Sequence, residues 1–201
     1  MSLSTYSDLQ SAVASWLARS DLTSIVPDLI RLGEIRIFRE VRCRDMETAL
    51  NVTMSGGVAA VPADYLDLKN AYLDGNPVTR LKRTDAGQIY EQYPTRAADD
   101  KPGYIAREGS NFIFGPYPDS DYTLKGIYYA KPTSIQTTAN TLFTNNPDLY
   151  LYAALCEASP YIHDDPRTAV WETKYASLKQ QIDFADREES SSGGGLAVRT
   201  A

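Results

Sequence analysis

The residues able to do chemistry are few, and each has a local occupation. One histidine, His163, must serve any His-dependent mechanism. Cys156 precedes it by seven residues, a spacing that could put both on one helical face. Pro160 interrupts that helix, and no third group orients the pair, as nucleophilic catalysis requires. A packed apolar Cys and a His in an interhelical turn account for both. The run His163-Asp164-Asp165 invites a metal reading. Asp165, however, is placed to cap the helix opened by Pro166, and Asp164 adds favourable charge at the same end. No H-E-x-x-H, cysteine pair or calcium-loop spacing occurs.

Paired carboxylates could hydrolyse glycosides, but Asp99-Asp100 and Glu188-Glu189 stand in polar stretches and read as solvated charge. There is no phosphate-binding glycine motif and no G-x-S-x-G elbow. The residues therefore offer nothing for an enzyme, no metal site and no cofactor. Arg31, Arg36, Arg39, Arg42 and Arg44 could form a nucleic-acid patch. They spread around the helical wheel among Glu34, Glu40 and Glu47, and Arg36 with Glu40 is an i,i+4 pair. Ion pairs at the surface or between subunits fit them better than phosphate contacts.

The elements that carry these residues fall in three blocks. Thr5 and Asp8 form a capping-box pattern for a helix over Tyr6–Ala18, with Leu9, Ala12, Val13, Trp16 and Leu17 on one face. A second helix is expected over Thr23–Arg42, Pro27 fitting only in its first turn. One stripe contains Leu22, Val26, Leu29, Ile30, Gly33, Ile37 and Val41. A second set, Leu32, Ile35 and Phe38, is mixed with Asp28, Arg31, Arg39 and Arg42. A helix apolar on two sides is central in a core or shared with a partner, and the mixed charges favour a partner. Gly33 admits a close backbone.

From Met46 to Leu142 the pattern turns to strands. "METALNVTM-SGG-VAAVP" reads as one hairpin, and "YLDLKNAYLDGNPVTRLKR" as another turning at Asp74-Gly75. Thr84 is placed to cap a short helix over Asp85–Gln92. Three strands come next, with "RAADDKPG" (Arg96–Gly103) as an exposed loop. Helices resume behind Asn146-Pro147, where Leu149–Ala158 is apolar nearly all round, and behind Asp165-Pro166, where Trp171, Tyr175, Leu178, Ile182 and Ala185 make a stripe. From Ser190 the chain is a Ser/Gly-rich tail. The expectation is an α+β protein: a four-helix bundle from the chain ends (1–45 and 143–189), an inserted β-rich domain (46–142) and an extended C-terminal arm (190–201).

Composition narrows the classes further. The 201 residues are 43% apolar and 23% charged with a net charge of −6, which argues against gripping nucleic acid by phosphate neutralisation. No apolar run approaches the roughly 18 residues of a membrane span, and the first residues lack a secretory pattern, so synthesis in the cytoplasm is expected. Cys43 and Cys156 should be reduced and buried. The 14 tyrosines against 5 phenylalanines suit interfaces or half-exposed strands.

Four stretches in order resemble the head-to-tail adaptor proteins of tailed bacteriophages, also called head-tail connector or tail tubular A-type gatekeeper proteins. They are "YSDLQSAVASWLARSDLTSIVPDLIRLGEIRIFREVRCRDMET", "VPADYLDLKNAYLDG", "FIFGPYPDSDYTLKGIYYAKP" and "NPDLYLYAALCEASPYIHDDPRTAVWETKY". The resemblance leaves out Arg80–Lys101 and the tail. It implies a structural virion protein at the neck: a homo-oligomeric ring, most often of twelve, between the portal and the tail or nozzle protein, with genomic DNA passing its channel without sequence-specific binding. Twelve copies at −6 would carry −72, disfavouring DNA adhesion. It also implies a C-terminal arm reaching the portal. Gly193, Gly194 and Gly195 would thread a groove, Leu196 and Val198 would fill pockets, Arg199 would meet a carboxylate, and Ala201 ends the arm. Asp28, Arg31, Leu32, Ile35, Phe38, Arg39 and Arg42 would face the neighbouring subunit. Asp99, Asp100, Lys101 and Pro102 would contact the tail or nozzle. The alternatives are a virion-associated cell-wall hydrolase, or a tail-completion or stopper protein of other stoichiometry.

Overall fold

The computed structural model describes residues 3–162 and 165–191. In chain order it has α1 (Tyr6–Leu17), α2 (Val26–Glu40), β1 (Glu47–Thr53), β2 (Val58–Ala60), β3 (Tyr65–Leu73), β4 (Thr79–Arg80), β5 (Lys82–Arg83), α3 (Ala86–Gln92), β6 (Tyr104–Glu108), β7 (Asn111–Gly115), β8 (Thr123–Ala130), α4 (Thr141–Asn145), α5 (Pro147–Glu157) and α6 (Arg167–Ser191). The fold is mixed α+β. It divides into two compact units, Met1–Met46 with Pro132–Ala201, and Glu47–Lys131.

In the helical unit, the α1 capping box forms on both sides: Asp8 N donates to Thr5 Oγ1 and Thr5 N to Asp8 Oδ2, each at 3.1 Å. The second helix starts later than expected. Pro27 has no N–H to offer the Thr23 carbonyl, so Ser20–Ile25 winds as a 3₁₀ helix and α2 begins at Val26. The stripe Leu22, Val26, Leu29, Ile30, Ile37 and Val41 is buried. A Cβ on Gly33 would lie 2.7 Å from Ala154 N and 2.9 Å from Ala153 C, so the glycine lets α2 press against the α5 backbone. Helix α5 packs against α1, α2 and α6, and Leu149–Leu151 with Ala153–Cys156 are buried, which is why its sequence shows no polar face.

The segment 132–142, placed with the strands by sequence, lies in the helical unit. Asn140 caps α4, its Oδ1 accepting from Phe143 N at 2.8 Å. Asn146 does not cap α5 with its side chain. Its Nδ2 turns back to the Leu142 carbonyl instead, and Asp148 Oδ1 accepts from Leu149 N. At α6, Asp165 accepts from Arg167 N at 2.9 Å, as the Asp-Pro signal predicts. The α6 stripe dries only at one end: Trp171 and Tyr175 are buried, Leu178 and Ile182 half-buried, Ala185 exposed. Helix α6 runs to Ser191, two residues into the expected tail.

The β unit holds two four-stranded sheets, ordered β1-β8-β3-β4 and β2-β7-β6-β5. The expected β1–β2 hairpin does not form. After the turn at Ser55–Gly57, β1 pairs with β8 and β2 with β7, so consecutive strands feed opposite sheets. The β3–β4 hairpin does form, through Tyr72↔Arg80 and Leu73↔Thr79, before Leu81 turns inward and β5 joins β6 in the other sheet. Inward residues of both sheets make one core, including Leu50, Leu68, Leu73, Phe112, Phe114, Leu124 and Tyr128. Central β8 alternates half-buried and buried along its length. A Cβ on its Gly126 would lie 2.2 Å from the Asn70 carbonyl oxygen, so only glycine fits where β3 and β8 are closest. The short helix α3 is capped by Asp85, whose Oδ2 accepts from Gly87 N, rather than by Thr84.

Candidate functional site

Helix α2 presents two unlike faces, and the difference begins in its charges. Arg36 sits on the flank turned to α6 and α5. Its guanidinium donates to both Glu172 oxygens at 2.9 and 2.7 Å and to Glu40 at 3.2 Å, lies 3.7 Å from Glu157, and covers the Tyr175 ring at 4.5 Å. Lys179 Nζ reaches Glu40 at 3.0 Å. Hydrogen bonding from Arg36 lowers the Glu172 pKa. Burial opposes ionisation of Glu40, but Lys179 and Arg36 outweigh it and hold its pKa down. The expected Arg36–Glu40 pair is thus one spoke of an intrachain hub.

Glu34 also belongs inside, not among surface ion pairs. It is 4% exposed, the one buried charged side chain among the described residues. Its carboxylate accepts from Ser134 Oγ at 2.7 Å and from Ile135 N at 2.9 Å, tying the incoming segment to α2.

The opposite stripe is open. Asp28, Arg31 and Arg39 are exposed, Ile35 is half-buried and Leu32 is 46% exposed. Two residues expected on this face are elsewhere. Phe38 is 6% exposed and belongs to the core. Arg42 caps the end of α2, its Nη1 donating to the Phe38 and Val41 carbonyls at 2.8 and 2.6 Å. The spacing of Phe38, one residue past Ile37, let it read as a second stripe when it only widens the first.

In the β unit, Asp99 and Asp100 are exposed, and their backbone N–H groups donate to the Tyr117 carbonyl. Lys101 is half-buried with Nζ 5.6 Å from the Tyr122 ring centroid, and Pro102 is buried, so Arg96–Gly103 is pinned at its C-terminal end rather than fully exposed. Arg96 anchors the other end, donating to the Phe114 carbonyl between the Tyr90 and Tyr117 rings.

Neither thiol is set up for nucleophilic work. Burial pushes the Cys156 pKa up to about 12 and that of Cys43 up to about 11, and both are free thiols. His163 and Asp164 lie outside the described residues. So do Gly193, Gly194, Gly195, Leu196, Val198, Arg199 and Ala201 of the arm. Among the described residues no group of His, Cys, Asp and Glu could hold a metal ion, and no helix is long and apolar enough to cross a membrane.

What remains is a pattern of interaction surfaces on a packed scaffold. The family model described as SU10 adaptor protein matches residues 4–199. The chain belongs to that family. It is a phage head-to-tail adaptor family of structural virion proteins, and its match spans both units and the region Arg80–Lys101 that the four sequence stretches left uncovered. No curated protein matches the chain.

The adaptor features that sequence reading missed are polar residues in unexpected places. Glu34 follows Ile30 by four residues and precedes Ile37 by three, on the buried stripe itself, a signal masked by the acidic neighbours assumed to share its role. Gly126 interrupts an alternating strand, which is the ordinary mark of a close backbone.

Proposed function

We propose that this adaptor forms a ring between the portal and the tail or nozzle of a tailed phage, with genomic DNA passing through its channel. In this reading α1, α2, α5 and α6 make a four-helix bundle whose α2 packs on a neighbouring copy. The observation that carries the proposal is the open α2 stripe. Leu32 is 46% exposed between Asp28, Arg31 and Arg39, on a helix whose other face is fully used. A neighbour covering Leu32 and Ile35 would bury apolar surface worth about 25 cal/mol per Å², while the surrounding charges set register and partner choice.

The C-terminal arm is the portal contact in the same reading. Gly193–Gly195 allow close threading, Leu196 and Val198 supply two apolar anchors on one side of an extended strand, and Arg199 supplies a cation. Asp99 and Asp100, exposed beside the half-buried Lys101, contact another virion subunit. The twelvefold symmetry and the neck position rest on likeness to the adaptor family.

Deletion of Leu196–Ala201 tests the arm. Truncated chain should keep its fold by circular dichroism and lose attachment to portal-bearing heads. Attachment equal to wild type would refute the arm's role. A symmetry measurement on assembled particles separates a portal ring from a stopper of other stoichiometry.

A further inference from the structure

The β unit carries two charged surfaces that leave each other unsatisfied within one chain. The first is a groove of about 410 Å³ between β3 and the β4–β5 segment, lined among others by Lys69, Arg80, Lys82 and Arg83. It opens because β4 covers only Tyr72 and Leu73 of β3, and the next strand leaves for the other sheet. Arg83 closes part of the gap, pairing with Asp67 at 2.7 Å and donating to the Leu68 carbonyl, and Lys69 pairs with Glu47. Arg80 and Lys82 are exposed and form no ion pair among the described residues; Lys82 Nζ rests 6.0 Å from the Tyr104 ring centroid.

The second surface lies beyond the start of β6 and the end of β7. The pairing of Asp100 with Pro118, and of both Asp99 and Asp100 N–H with the Tyr117 carbonyl, brings two acidic stretches together. Asp99, Asp100, Asp119 and Asp121 are all exposed. Asp119 accepts from Tyr122 O–H, but no ion pair joins any of the four to a cation among the described residues. Lys101, next to Asp100 in the chain, turns its ammonium to the Tyr122 ring.

We propose that the acidic surface of one copy docks in the Arg80–Lys82 groove of the next. The inference rests on the ring reading above and names where the β units meet. Like charges gathered on one face cost free energy that an opposite face on a neighbour offsets. Where the two surfaces, different patches of the same chain, meet head-to-tail, the contact is of the heterologous type that generates rings. A two-fold dimer would make the same acid-to-base contact twice and close at two copies, so the mass of the assembly distinguishes it from a ring.

Charge reversal in the full chain tests this by sedimentation velocity, with purified portal as template where free chain does not assemble. R80E/K82E and D119K/D121K should each weaken assembly on the order of a hundredfold with unchanged circular dichroism. An equimolar mixture of the two variants should assemble again by alternation, the acidic groove meeting the lysine-bearing surface at one junction and the two native surfaces meeting at the next. Assembly of either variant at wild-type strength, or no recovery in the mixture, overturns the contact while leaving the adaptor ring intact. Failure of wild type to form any oligomer with or without portal overturns the ring reading and this contact with it. Intact assembly of R80E/K82E combined with loss of binding to a single-stranded DNA oligonucleotide would assign the groove to nucleic acid instead.

Discussion

The Arg36 hub of the helical unit and the Arg80–Lys82 groove with the acidic surface of the β unit treat charge in opposite ways. In the first, Arg36 gathers Glu172, Glu40 and Glu157 from three helices, and Lys179 closes the set. In the second, Arg80 and Lys82 face a groove, and Asp99, Asp100, Asp119 and Asp121 face solvent, none of them in an ion pair among the described residues. Both units have complete cores, so the contrast is not one of better and worse folding. Paired charge fixes helices within a chain, whereas in the proposed contact unpaired charge of both signs meets another chain. An assembly protein needs both, because it must fold before it meets its partners.

The contrast can be broken from its most rigid point outward. Gly126→Ala should be the most damaging single change, because the added Cβ meets backbone at 2.2 Å in the middle of the larger ladder. A loss of about 3 kcal/mol in urea unfolding is expected, the cost of overpacking a site that cannot relax. Arg36→Ala should cost about 2 kcal/mol by leaving three carboxylates without their common partner. Hydrogen exchange should show the loss in α2 and α6 amides and not in β8. Leaving β8 protection unchanged is the result that sustains the two-unit contrast; equal loss in both would end it.

Acid gives a smaller and directional effect. The Glu172 and Glu40 pKa values are depressed in the folded chain, so their contribution is full above the ordinary carboxylate value of 4.5 and falls away as pH drops through the lowered values. The Glu172 side chain is 44% exposed, and screening holds its share to about 0.5 kcal/mol. Glu172→Gln should therefore lower stability slightly at pH 7, with the difference shrinking as pH falls below 4.5, as followed by thermal melts across the acid range. Smallest of all is Arg80→Ala with Lys82→Ala, which should move stability by no more than about 0.5 kcal/mol while weakening assembly. A large stability loss there would mean these cations serve their own fold, and the contrast would fail.

Much of the helical unit was legible from sequence because its signals are local. The Thr5–Asp8 capping box, Pro27 and Pro147 in first turns, and Gly33 between apolar neighbours each state a geometric need that only a few residues meet. The β unit was legible as strands and turns but not as sheets. "SGG" looks the same whether the strands beside it pair with each other or part to β8 and β7, since that choice depends on partners between 51 and 82 residues away. The open stripe of α2 was half legible. Leu32, Ile35 and their charged neighbours do lie on an open stripe, but Phe38 and Arg42 are used within the chain, and periodicity alone does not separate a wide buried face from two faces. The groove at Arg80 and Lys82 was invisible, because it arises where the chain changes sheets.

The central claim is that this adaptor is built to stand against copies of itself on a portal. Its most direct test is the mass of the complex formed when purified chain, wild type or Leu32→Glu, is added to isolated portal. The account predicts a closed ring of identical copies for wild type, and for Leu32→Glu a stable folded chain that does not close the ring. Wild-type chain that binds singly or not at all, or Leu32→Glu that closes the ring unimpaired, would contradict it.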